Sequence, residues 1–335
     1  MERTPVSFGP GVFLFTGGNP MDKTFKTYDE LITILISRGV DISSPEQKSF
    51  AKMKLQQHGY YNLINGYNKL FLLTKDPEDA YIPGTTINEI YALYVFDEKL
   101  RDIFFRNIIP VEQNVKNLIS YTFSERYGHD NYMLYKNFDT HRKDSVRIIS
   151  DVISEVQRQI SSRSSDPVIF HYLSTYGYVP LWVLNNILTL GTISKFYSIM
   201  KQPDRQEVSK IFRIQDSQLE TILFYISSVR NFCAHGNRLY CYRTKRPLGD
   251  FLAHNSLSIP MSDGKEYDYG KRDLFACLIA LHYVLPASDY RKMLKEIRDL
   301  LNETEPQLSV IKIDAVLCEM GFPIDWFENL NNLKK

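Results

Sequence analysis

Apolar residues recur with the 3.6-residue period of an α-helix along most of the chain, and stretches of strict two-residue alternation are few. Leu31, Ile32, Leu35 and Ile36 make one apolar stripe, which Gly39 should end. Ser44-Pro45-Glu46 pairs a cap residue with a first-turn proline and predicts a second helix, through Phe50, Met53 and Leu55 toward His58-Gly59. The glycine-bounded aromatic segment 59–67 predicts a packing corner, and the turn-rich segment 74–86 predicts a linker. A long helical pattern starts at Thr86 or Asn88, with Ile90, Leu93, Tyr94, Leu100, Ile103 and Phe104 on its apolar face. Pro110 should kink or restart it before Val111, Val115, Leu118 and Ile119 carry the pattern to Tyr127-Gly128.

Residues 129–141 read as a connection and 142–163 as an amphipathic helix broken by the polar run 161–166. Short helices are expected on either side of Gly191 within 178–200. The strongest pattern is 216–235, capped by Asp216 or Ser217, with Leu219, Ile222, Leu223, Ile226 and Val229 on one face. Residues 247–270 read as loop, helices resume at 271–285 and 287–302, and 309–330 holds a short helix followed by Gly321-Phe322-Pro323. No internal repeat is visible, so the expected class is mainly α without a solenoid. The expected divisions are an irregular arm over 1–24, an N-terminal helical region over 25–86, a helical core over 87–302 and a C-terminal helical segment over 303–335.

Composition adds little to this picture. The 335 residues include 40 Lys and Arg against 39 Asp and Glu, a formal charge of +1, which excludes a polycation but not a local basic patch. Four cysteines, Cys233, Cys241, Cys277 and Cys318, form no disulfide framework and fit a reducing compartment. Met1 to Pro20 lacks a charged region followed by an apolar run, and no apolar stretch reaches about 18 residues, so a cytoplasmic protein without a membrane span is expected.

One segment carries candidate chemistry. Arg230, Asn231 and His235 are polar residues at the end of a strongly apolar helix, where burial without partners would be costly. Gly236-Asn237 is a helix stop, so His235 belongs to the last turn, where the helix dipole favours the imidazolium form. Residues 221–249 hold Arg230, Arg238, Arg243, Lys245 and Arg246 and no Asp or Glu, interleaved with Phe224, Tyr225, Phe232, Tyr240 and Tyr242. Basic groups bind phosphates and aromatic rings stack on unpaired bases, so Arg238, Tyr240, Arg243, Lys245 and Arg246 are candidate RNA contacts. Cys233, His235 and Cys241 lack a fourth ligand and fit no common zinc spacing, so no metal is expected. Asp97 and Arg101 predict a plain i,i+4 ion pair, and the histidines at 129, 141, 171, 254 and 282 are expected to be structural or exposed.

Arg230-x4-His235, with Asn231 directly after the arginine, resembles the Rx4–6H motif of HEPN-domain ribonucleases. RNFCAHGNRLY resembles its form in the Abi-like abortive-infection proteins of the AbiD/AbiF group. HGYYNLINGY, LYVFDEKLRDIFFRNIIPVE, VPLWVLNNILTLGTISKFY and MGFPIDW are similar to further blocks of that family, in the same order. The resemblance implies a HEPN-like helical bundle with an N-terminal helical extension, acting in phage defence through RNA cleavage without a metal or other cofactor. It implies that Arg230 neutralises charge on the reacting phosphate, that His235 moves a proton at the ribose 2′-OH or the leaving 5′-oxygen, and that Asn231 orients one of them. It also implies 2′,3′-cyclic phosphate and 5′-hydroxyl ends and a homodimer with a composite site. The alternative is a non-catalytic protein that binds and stabilises a small noncoding RNA. Lys116, four residues after Glu112, departs from the family's arginine, and a lysine cannot repeat a bidentate contact.

Overall fold

The computed structural model describes residues 24–75, 78–141 and 143–334. The expected arm over 1–24 lies outside these residues save for Thr24. The fold is mainly α, as the periodicity requires, and divides into two compact units. The first comprises the chain up to Tyr94 together with 306–312. The second comprises 95–305 and the segment from Ile313.

In the first unit, α1 (Tyr28–Ser37) and α2 (Pro45–His58) each open on a capping box, Thr27 with Glu30 and Ser44 with Gln47. They bury Ile32, Leu35, Ala51 and Leu55 against each other. The aromatic block after α2 is the expected corner: a short π-helical turn over Tyr61–Asn65 buries Leu63 and Ile64, and Tyr67 meets Tyr94 edge-on at 5.3 Å. The 74–86 segment is more than a linker. It carries β2 (Ala80–Tyr81), which pairs antiparallel with β1 (Leu72–Thr74). Backbone bonds from Tyr81 to Arg38 and from Asp41 to Thr85 build this strand pair into the unit.

Helix α3 (Ile87–Tyr127) begins in this unit, where Glu89 collects Ser309 N at 2.5 Å, Val310 N at 2.8 Å and Ser309 Oγ at 3.0 Å. That carboxylate binds the 306–312 segment to the first unit. The helix then runs unbroken through Pro110, contrary to the expected kink or restart. Pro110 is exposed, so the Arg106 carbonyl that loses its helical donor can turn to water, while Ile108, Val111 and Val115 stay buried and hold the helix on course.

The second unit is built around two helices that occur late in the chain. Helix α4 (Ser145–Ser162) packs on α7 (Leu190–Ile199) after α5 (Pro167–Tyr176) and the single turn α6 (Leu181–Leu184). The polar run 161–166 does break α4, but its last residue starts α5: the Asp166 carboxylate accepts from Val168 N at 2.9 Å and Ile169 N at 3.3 Å. Helix α8 (Gln202–Ile211) precedes α9 (Asp216–Ala234), which packs on α7 and α8. Asp216 does not cap α9, because its carboxylate is held by Arg205 at 3.1 Å; Gln215 stands at the cap and Gln218 accepts from its N–H. The 247–270 loop holds one short helix, α10 (Leu252–Ser256), in which buried His254 lies 2.9 Å from the Gly270 carbonyl.

Helix α11 (Leu274–Val284) is buried on almost every side and packs on α9 and α12 (Ala287–Thr304). The chain ends in α13 (Ile313–Met320) and α14 (Trp326–Asn331), which rests on α12. Gly321 between them has φ +75°, and a Cβ there would lie 2.5 Å from Asp273 Cγ. Asp273 caps α11, so the Gly-Phe-Pro signature marks where the C-terminal segment meets the start of the central helix.

Burial pushes the Glu89 carboxyl up, but the N–H groups of Val310, Ser309 and Thr86 outweigh it and hold its pKa below the ordinary value. A carboxyl with a folded pKa below the unfolded one stabilises above the unfolded pKa of about 4.3, and that stability is lost as pH falls through the folded pKa. Glu89→Gln should therefore lower Tm at neutral pH and flatten the acid limb of the stability profile, as thermal melts between neutral and acid pH would register.

Candidate functional site

The second unit places Arg230 to His235 at the C-terminal end of α9. Leu219, Ile222, Leu223, Ile226, Val229 and Cys233 bury one face of that helix, which forces the intervening polar positions outward. The helix ends in a Schellman motif: Gly236 N donates to Cys233 O and Asn237 N to Phe232 O, each at 3.1 Å. Gly236 sits at φ +66°, the left-handed conformation that this ending requires. His235 is the C-cap and is exposed, as is Asn231 one turn earlier. The two share a helix face at i,i+4, and His235 N donates to the Asn231 carbonyl at 3.1 Å.

Arg230 is half-buried and held. Its Nε donates to Glu112 Oε2 at 3.3 Å, and its guanidinium lies 5.3 Å from the centre of the Phe105 ring. Glu112 Oε1 takes Lys116 Nζ at 2.6 Å, so one nearly buried carboxylate on α3 bridges two cations. The lysine thus has a structural role: a single short contact to one oxygen, which a point charge fulfils. The Arg230 contact engages Nε, and about a quarter of the side chain, 26%, is exposed.

The turn after His235 is fixed from beneath. Asp97, wholly buried on α3, accepts from Tyr240 N at 2.7 Å, Leu239 N at 3.2 Å and Arg101 Nη1 at 2.6 Å. Arg101 Nη1 also reaches the Asn237 carbonyl at 3.4 Å. The expected i,i+4 pair is therefore present, but it is a buried clamp on the motif loop. The sequence displays its two ends as a spacing of four and gives no sign of the backbone groups 140 residues away that complete it.

The candidate RNA contacts divide. Arg238, Arg243, Lys245 and Arg246 are exposed. Arg243 Nη1 donates to the Glu319 carbonyl at 2.8 Å, and the Lys245 carbonyl accepts from Arg272. Arg246 lies over the Phe224 ring at 4.4 Å and within 3.9 Å of Glu220, the acid just before the acid-free stretch. Tyr240 is 1% exposed and cannot stack on a base; its side chain belongs to the core, as do those of Tyr225 and Tyr242. The alternating aromatics of 221–249 read as an interleaved surface only until the loop folds back on α9. Burial also pushes the Cys233 thiol up to about 12, so it stays protonated and a poor ligand. Among the described residues, no three His, Cys, Asp or Glu side chains stand close enough to share a metal ion, and no helix is long and apolar enough to cross a membrane.

These features define a mainly α protein that presents an Arg-x4-His pair at a clamped helix end. The family model described as Abi-like protein matches residues 53–241, over half the chain, and the chain belongs to that family. Membership suggests a part in abortive infection, the defence against phage. No curated protein and no solved structure shows significant similarity to the chain.

Removing Asp97 would take the buried carboxylate away from Arg101 and from the Leu239 and Tyr240 N–H groups. Asp97→Ala should cost about 3–5 kcal/mol, the range for breaking a buried pair. Gly236→Ala has open space around the added methyl and should cost about 1–2 kcal/mol from the left-handed backbone alone. Thermal denaturation should rank the two in that order, and equal melting temperatures would refute the clamp.

Proposed function

We propose that the chain is a metal-independent endoribonuclease of the HEPN type, acting in phage defence through Arg230 and His235. The observation that carries this reading is the pairing of a positioned, part-exposed arginine with an exposed histidine at one clamped helix end, inside the region matched by the family. Arg230 spends Nε on Glu112, and its terminal amino groups can meet two phosphate oxygens as charge builds on the phosphorane. His235 takes the proton from the ribose 2′-OH as that oxygen attacks phosphorus, or returns one to the departing 5′-oxygen. Asn231, a turn below His235 on the same face, orients the imidazole or the phosphate. The internal nucleophile is held next to its target by the ribose, so the reaction needs no metal hydroxide. Cleavage leaves a 2′,3′-cyclic phosphate and a 5′-hydroxyl, and DNA is spared. Arg238, Arg243, Lys245 and Arg246 supply backbone contacts around this point.

Helix geometry favours a composite site built by two copies of the chain. Five residues advance an ideal helix by about 7.5 Å and about 140° around its axis, so Arg230 and His235 of one chain leave the helix in different directions. Two copies facing each other would let the arginine of one meet the histidine of the other. The second reading, a non-catalytic protein that stabilises a small noncoding RNA, draws on the grip of Glu112 on Arg230, which would suit static phosphate binding.

Purified protein incubated with RNA in EDTA tests the proposal. Wild type should cut, and His235→Ala and Arg230→Ala should each slow cleavage by about 100-fold or more. A substrate with a single 2′-deoxy sugar at the cut site should resist. If His235→Ala cuts as fast as wild type, the role of His235 is wrong; an RNA of discrete size that co-purifies intact and is never cut would favour the second reading.

A further inference from the structure

The basic stretch has lost Tyr225, Tyr240 and Tyr242 to the core, but a row of partly exposed rings stands elsewhere in the second unit. Tyr172 and Tyr176 on α5 lie 5.7 Å apart, Tyr176 and Tyr178 6.4 Å, Tyr178 and His129 5.1 Å, and His129 and Trp182 5.7 Å. The row is fixed by polar bonds. His129 Nε2 and Tyr178 Oη are 2.7 Å apart, and Leu181 N donates to the His129 carbonyl at 3.2 Å. At its end is a cavity of about 620 Å³, a size suited to a small organic ligand. Trp182, His129 and Tyr121 supply its ring faces, with Trp182 51% and Tyr121 68% exposed.

The polar groups in the same cavity narrow the ligand. Asn117 offers both a donor and an acceptor. The Ser124 hydroxyl in the wall is buried without a hydrogen-bond partner. Glu125 brings a carboxylate, one oxygen of which accepts from Tyr121 Oη at 3.1 Å. A carboxylate repels phosphate, so the ligand enters by a neutral, flat part that carries N–H donors. Among the nucleobases, guanine presents adjacent N1–H and N2–H groups to one carboxylate, which suits a hollow lined by rings and an acid.

We propose that the cavity bounded by Tyr121, His129, Trp182 and Glu125 binds an unpaired guanine base, stacked on Trp182 and hydrogen-bonded to Glu125. The inference rests on the ribonucleic-acid reading above and deepens it. The Arg230 region binds backbone, and this pocket selects a base of the same strand or of a bound RNA. Tyr172 and Tyr176 extend the platform for neighbouring bases.

The chain has two tryptophans, and Trp326 is buried, so quenching by a small solute reports on Trp182. The full chain is titrated with GMP, AMP, CMP and UMP while its tryptophan emission is followed. Saturable quenching should be strongest with GMP, and Glu125→Gln should lower GMP affinity about tenfold, toward that of the other three. Trp182→Ala should weaken binding of a labelled single-stranded, guanine-containing RNA by about tenfold or more, read by anisotropy. Equal, non-saturating quenching by all four nucleotides would overturn the inference. So would emission that ignores nucleotides and shifts with protein concentration, the mark of a subunit contact. Binding of GMP by a chain that never cuts RNA would sink the ribonuclease reading alone; cleavage by a chain whose Trp182 ignores every nucleotide would sink this one alone.

Discussion

The buried carboxylate of Asp97 is the constraint on which the candidate site depends. It is fully desolvated, which would be costly for a lone charge, and it is compensated by a charged guanidinium and two backbone N–H groups. Those two N–H groups belong to the loop directly after His235. The Schellman ending at Gly236 sends the chain out of α9, and Asp97 fixes where it lands. Helix end, turn and following loop are thereby one polar unit, and His235 stands at its start. A pocket or patch held only by apolar contacts would tolerate sliding; hydrogen bonds from a buried acid do not, because each has a defined partner and angle.

Glu112 repeats the device one level further along α3. It draws Arg230 and Lys116 to opposite oxygens, and the three charges sum to one positive unit. Two cations so close would repel without it, and with it they leave a net attraction for phosphate. The overall charge of +1 is consistent with this economy. Positive groups in 221–249 meet acids supplied from outside that stretch, Glu112 for Arg230 and Glu220 for Arg246, so local basicity is moderated rather than absolute.

Most of the helices were legible from the sequence; α1, α9 and α12, each of which buries one stripe, are the clearest, while α11 is apolar on almost every side. What escaped has specific causes. Helix α5 follows a polar run whose last residue, Asp166, starts it where composition alone suggests a break, and α8 begins at Gln202-Pro203 only two residues after α7 ends. Pro110 breaks no helix because its effect depends on whether the orphaned carbonyl meets solvent, a tertiary fact. The candidate residues at 230, 231 and 235 were visible as a short motif, while Glu112, Asp97 and Arg101, which position them, lie more than 100 residues earlier and show only as spacings of four. Tyr240 was misplaced for the converse reason. An aromatic residue between basic ones looks the same in sequence whether the loop stands out or folds back.

That last difference shapes what a nucleic-acid site here could do. With Tyr225, Tyr240 and Tyr242 withdrawn, the end of α9 exposes cations and hydrogen-bonding groups but little ring surface. Such a surface would suit phosphates, which carry no sequence information. Selectivity between one RNA and another must then come from strand shape or from base contacts made at a distance from the reacting phosphate. The partly exposed ring row that ends at Trp182 is fixed by its own hydrogen bonds and carries a carboxylate, the feature least suited to holding phosphate. Under the proposed function, cations gathered at one place and rings with an acid at another would separate attachment to RNA from the reading of its bases.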